Sequence, residues 1–130
     1  MSPEITVFVY TIILAFVHIM LESTVKTLHY GMGPSLGPRD DLPPPSSAMV
    51  GRAIRTKNNM LETLPLALGL LIVVQLTGVG NEMTAMGAWL YLIARVVYIP
   101  MYLLGIPWLR TLAWGASVVG LVMLLLPLLG

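Results

Sequence analysis

Four stretches of the chain carry almost no charge, and they dominate its pattern. Residues Ile5 to Leu21 hold no formal charge, nor do Thr63 to Asn81 or Thr111 to Gly130. Met83 to Gly105 is interrupted once, by Arg95. A helix that crosses a bilayer needs about 20 mainly apolar residues. The runs are continuous rather than alternating, so they predict helices and not the strands of a barrel. The expected spans are 5–24, 47–78, 83–104 and 108–128, within one domain covering 1–130. The first run does not read as a signal peptide. Glu4 precedes it, no Lys or Arg does, and no small-residue cleavage site follows.

The connections between the runs are unequal. The first, expected over 27–46, contains Gly31, Gly33, Gly37 and the proline run Pro43 to Pro45. Consecutive prolines cannot be helix interior. Ser46 or Ser47 would cap the second helix. The second and third connections, near Gly78 to Glu82 and Gly105 to Trp108, are short. Short links make consecutive helices antiparallel neighbours, which predicts an all-α, up-down-up-down four-helix bundle. Lys26, Arg39, Arg52, Arg55 and Lys57 lie in or beside the first connection and Arg110 borders the third. The positive-inside rule then puts these two connections in the cytoplasm.

Composition agrees with a membrane protein. Of 130 residues 57 % are hydrophobic and only 10 % charged, against about 25 % charged in soluble domains. With no cysteine there is no disulfide framework, thiolate metal site or cysteine nucleophile. The two histidines, His18 and His29, are too few and too far apart for a metal centre. The net charge of +1, with no basic run, excludes a nucleic-acid surface.

Polar residues inside or beside the spans are costly and therefore informative. Arg52, Arg55, Asn59 and Glu62 follow one another at three, four and three residues, which puts them on one helical face. Tyr91, Arg95, Tyr98 and Tyr102 do the same at four, three and four. A charge in mid-span, such as Arg95, costs at least roughly 2.5–3.5 kcal/mol. It needs a partner, a wet cavity or another subunit. One answer is an ion pair of Arg95 with Glu62. The other is a polar pocket where tyrosines and arginines meet an anionic ligand. Arg110 opens the fourth helix, either snorkelling to the membrane edge or joining that pocket. Trp114, one turn later, is an interface anchor or a stacking wall. His18 and Glu22, four apart, are placed to pair, and Gln75 to join two helices by a hydrogen bond. Pro65 and Pro100 fall inside helical segments, and Asp40 and Asp41 in the proline-rich loop.

Two stretches resemble the MAPEG superfamily, the membrane-associated proteins of eicosanoid and glutathione metabolism. The first is Arg55-Thr56-Lys57-Asn58-Asn59-Met60-Leu61-Glu62-Thr63-Leu64-Pro65, with Arg, Asn four later, Glu three later and Pro following. The second is Arg95-Val96-Val97-Tyr98-Ile99-Pro100-Met101-Tyr102, after which Arg110 matches the arginine opening the fourth helix. The resemblance covers nearly the whole chain. It implies a homotrimer of four-helix bundles that binds glutathione, its co-substrate, between subunits near the cytoplasmic face. Arg55, Asn59 and Glu62 would hold the charged ends of the tripeptide, with Glu62 on its amino group. Tyr98 and Tyr102 would contact its peptide and carboxylate portions, Arg95 would brace the site, and Trp114 would lie against the tripeptide. Arg110 would be the catalytic residue, favouring the thiolate.

The match has departures. Tyr98 stands where the microsomal transferases and prostaglandin E synthase have histidine and the leukotriene synthase branch has tyrosine. Thr63 stands where that leukotriene branch has tyrosine. No arginine occupies the first helix, where Lys26 is the nearest cation. The short loops suggest a bacterial member in the inner membrane. The expected function is a detoxifying glutathione transferase or peroxidase acting on lipophilic electrophiles that arrive from the lipid. The alternative is a non-catalytic member that binds lipid or a partner membrane protein. A four-span multidrug transporter would need a carboxylate deep in the first helix, and none precedes Glu22 within that run.

Overall fold

The computed structural model describes residues 1–31 and 48–130. The expected caps Ser46 and Ser47, the proline run, Arg39, Asp40 and Asp41 lie outside these residues. The described chain forms four long helices: α1 (Pro3–Tyr30), α2 (Ala48–Thr77), α3 (Glu82–Leu103) and α4 (Pro107–Leu125). A short 3-10 turn, Leu126–Leu129, follows α4. All four helices are long and apolar enough to cross a membrane. The molecule is thus an all-α bundle.

Local chemistry sets the helix ends. Ser2 caps α1 by accepting from the Ile5 amide at 3.2 Å, and Pro3 takes a first-turn position where no amide is needed. α1 continues past the expected end at residue 24 through four residues of the expected loop. Its last turns are held by an ion pair of Lys26 with Glu22 at 2.6 Å. Asn81 and Thr84 form a reciprocal capping box at the start of α3, with bonds of 3.0 and 2.8 Å. Between α3 and α4, Gly105 adopts φ +72, and a side chain there would stand 2.9 Å from Arg52.

Packing uses one stripe per helix. On α1 the buried side is Val7, Thr11, Leu14, His18 and Glu22, at steps of three and four. Met60, Leu71, Val74, Tyr91 and Leu124 meet it in the core. Large apolar residues such as Phe16, Leu66, Met86 and Trp108 remain exposed, the expected outward face of a bundle solvated by lipid. α3 and α4 approach backbone to backbone. A side chain on Gly120 would lie 2.6 Å from the Gly87 carbonyl oxygen, and one on Gly87 2.8 Å from that of Gly120. Small residues at such crossings let helices gain dispersion contact where no hydrophobic drive separates them from lipid.

The two ends of the bundle differ in charge. Glu4 Oε1 accepts from Thr84 Oγ1 at 2.7 Å, which brings the starts of α1 and α3 to the same end. Ser2 Oγ donates to Gln75 Oε1 there, tying the start of α1 to the last turns of α2. At the opposite end Arg52 donates to the Leu103 carbonyl at 3.2 Å, joining α2 to the last turn of α3. Its cation faces the negative end of the α3 dipole. Lys26, Arg55, Lys57 and Arg110 share this end.

Candidate functional site

The polar residues converge at the basic end. Arg55, on α2, donates from Nε to the Tyr102 hydroxyl of α3 at 2.8 Å. Its guanidinium carbon lies 5.8 Å from the centre of that ring. Arg110, in the second turn of α4, lies 4.8 Å above the same ring. Tyr102 is therefore a platform for two cations, one bonded at its hydroxyl and one on its face. Tyr98 packs beside it, ring centres 5.5 Å apart.

Arg95 is fully buried. Its Nη1 donates to Asn59 Oδ1 at 2.8 Å, and its guanidinium carbon lies 4.4 Å from the Tyr98 ring centre. The ion pair with Glu62, one of the two expectations for Arg95, does not form. Asn59 is one turn nearer the basic end of α2 and takes the guanidinium, leaving Glu62 exposed. Glu62 makes no hydrogen bond or ion pair with the described residues.

The result is an open groove of about 280 Å³ lined by Asn59, Tyr98, Tyr102, Arg110, Thr111 and Trp114. Five of these are residues singled out in the sequence. Arg55 and Arg95 support the groove from behind, through Tyr102 and Asn59. Glu62 stands outside its walls. Thr111 escaped the sequence reading, since its hydroxyl bonds the Pro107 carbonyl at 2.9 Å like any helical threonine. Arg52 shares the Arg55 face but acts at the end of α3 instead.

Charge in the groove is one-sided. Arg110 is partly buried and sits near the start of α4, where the helix dipole adds positive potential. The walls offer hydroxyls, one amide and aromatic faces, a set suited to an anionic, peptide-like ligand. A second groove of about 400 Å³ adjoins it between α2 and α4, lined by Leu66, Leu70, Val118 and Leu121 among others. Trp114 borders both.

The family model of the MAPEG family matches residues 7–130. The chain belongs to the MAPEG family. It is thus an integral, multi-pass membrane protein of a family of eicosanoid and glutathione metabolism, whose fold is a four-helix bundle. No curated protein and no solved structure matches the chain.

One further expectation changes. His18 does not pair with Glu22. The Glu22 carboxylate binds Lys26 and, across to α2, Lys57 at 2.5 Å, while His18 turns to its own backbone. The reason is charge: two ammonium groups outcompete an imidazole for one carboxylate. Lys26, the nearest first-helix cation to the family's arginine, is engaged by Glu22.

Proposed function

We propose that this MAPEG protein binds glutathione in the groove and activates its thiol against lipophilic electrophiles, as a transferase or peroxidase. The carrying observation is the convergence of Asn59, Tyr98, Tyr102, Arg110 and Trp114 on one groove, with Arg55 and Arg95 braced behind it. Bound glutathione supplies the thiol nucleophile. Arg110 lowers the thiol's proton affinity, because a neighbouring cation favours the thiolate and so raises its fraction at neutral pH. Arg55 and the tyrosine hydroxyls hold the carboxylate and peptide ends. Glu62 is free for the ligand's amino group. The all-apolar lining of the adjoining groove suits the hydrocarbon portion of the second substrate, which would enter from the lipid.

The groove is open and slightly smaller than the roughly 300–1,000 Å³ of typical ligand pockets. Arg55 and Glu62, on the same face of α2 as Asn59, are exposed. A homotrimer whose neighbouring copy closes the site accounts for both. The basic end faces the cytoplasm by the positive-inside rule, with a bacterial inner membrane as the setting.

The test is a glutathione titration of detergent-purified protein, read by thiolate difference absorbance in the ultraviolet, with Arg110→Ala in parallel. A saturable thiolate signal that is lost in the variant supports the reading. Correctly folded protein without any signal refutes it and favours the lipid- or partner-binding alternative. Binding without turnover over a panel of electrophiles does the same for the catalytic part.

A further inference from the structure

His18 is a mid-span polar residue to which the site described above gives no role. Intramembrane ionisable residues are costly and usually functional. The ring is 1 % exposed. Its Nδ1 lies 2.8 Å from the Leu14 carbonyl oxygen. A carbonyl only accepts, so Nδ1 carries the proton, and Nε2 of the neutral ring presents a lone pair. That Nε2 is buried without a hydrogen-bond partner.

Arg95 has the complementary need. It is 0 % exposed, and only Nη1 is bonded, to Asn59. Nε and Nη2 are buried donors without partners. Buried polar groups in native proteins are nearly always satisfied, so each exception calls for a reason. The two side chains belong to the same region. α1 and α3 run parallel from the Glu4–Thr84 contact. At 1.5 Å per residue, His18 lies about 21 Å along α1 and Arg95 about 16 Å along α3. The offset is less than one helical turn, within reach of a long arginine. One other group on the buried stripe of α1 lacks a partner, the Thr11 hydroxyl, about two turns before His18. The remaining polar groups near this layer are committed. Glu22 holds two lysines, and the Tyr91 hydroxyl bonds Thr63 at 3.2 Å.

We propose that His18 is a positioning residue for the glutathione site. Its Nε2 accepts from one bound water that in turn accepts from the free edge of Arg95, and so fixes the guanidinium that holds Asn59 and backs the Tyr98 ring. One water suffices, accepting from Arg95 and donating to Nε2. The water's two lone pairs take the two donors, and one of its O–H groups donates to the Nε2 lone pair. The chain of support runs from α1 to the groove: His18 to Arg95, then Arg95 to Asn59 and Tyr98. This inference rests on the glutathione reading for its functional consequence, but its structural core does not.

The test has two arms. In the first, protein labelled with [15N]histidine and carrying His29→Gln reports His18 alone by nitrogen NMR. The expected spectrum shows an Nδ1-protonated ring whose Nε2 resonance moves downfield, toward that of an unbonded imidazole nitrogen, in Arg95→Lys. An Nε2 resonance indifferent to Arg95→Lys overturns the proposal, whatever the protein binds. In the second arm, glutathione affinity is compared in His18→Leu and His18→Gln. Leu removes the acceptor and weakens binding about tenfold, whereas Gln supplies an oxygen near the Nε2 position and restores it to within about threefold. The double variant His18→Leu with Arg95→Lys is no weaker than the worse single variant, since the two act through one contact. Equal loss in Leu and Gln, or additive losses, overturns the positioning role. Wild-type protein that binds no glutathione refutes the proposed function instead, and the spectroscopic arm still decides the His18–Arg95 link.

Discussion

Replacing Tyr102 separates two jobs that one ring performs. Its hydroxyl tethers Arg55 at 2.8 Å, and its face carries Arg110 at 4.8 Å. Tyr102→Phe keeps the face and frees Arg55. An untethered arginine must be ordered when the ligand arrives, at about 0.5–1.5 kcal/mol for a long side chain. That corresponds to a rise of roughly two- to tenfold in the glutathione Kd. The thiolate signal per bound ligand stays as in the parent, because Arg110 keeps its aromatic support. Tyr102→Leu removes the support too, a cation–π contact of about 0.5–1 kcal/mol at an exposed site and more when desolvated. Its Kd rises further, and the thiolate fraction at neutral pH falls. Since Tyr102 is buried, thermal unfolding is followed alongside to subtract any loss of folded protein. Titration by difference absorbance reads both quantities in one experiment. If Phe lost the thiolate signal while keeping its affinity, or if Phe and Leu behaved alike, the division between hydroxyl and face would be wrong.

Three other outcomes are expected. Gly120→Ala forces its new methyl to within 2.6 Å of the Gly87 carbonyl oxygen and 2.8 Å of the Tyr91 amide nitrogen. Overpacking of this kind costs about 1–3 kcal/mol, so thermal unfolding in detergent should begin several degrees lower. Glu62→Gln should leave the melting temperature unchanged, as Glu62 is exposed and unbonded. It should weaken glutathione by up to roughly fivefold, the range of an exposed charge pair, and leave a ligand lacking the amino group unaffected; equal loss for both ligands would contradict the assigned contact. Thr84→Val removes both the donor to the buried Glu4 carboxylate and the acceptor of the Asn81 amide in the capping box. The orphaned carboxylate costs about 1–3 kcal/mol, while glutathione affinity is unaltered because both contacts lie at the far end of the bundle. A variant that bound glutathione more weakly would show coupling between the ends.

What this sequence determined by itself is the class of structure and most of the side chains that meet at the candidate groove. In lipid the backbone satisfies itself only as helices or a closed barrel, and uncharged runs that are continuous rather than alternating leave helices, so the four helices follow from pattern alone. Helical spacing is also local geometry. Arg55 with Asn59, and Arg95 with Tyr98 and Tyr102, share faces for that reason, and the mid-span charge at Arg95 marks the site by its cost. Partner choice is another matter, because it depends on which helices meet and at what height. The pairing of Arg95 with Asn59 rather than Glu62 is set by the register of α2 against α3. Glu22 takes Lys57 rather than His18 because α1 and α2 pack closely at the basic end. The use of Arg52 at the end of α3, the backbone contact of Gly87 with Gly120, and the unanswered nitrogens of His18 and Arg95 belong to the same category. Periodicity states the face on which a side chain lies, and only packing states what stands opposite.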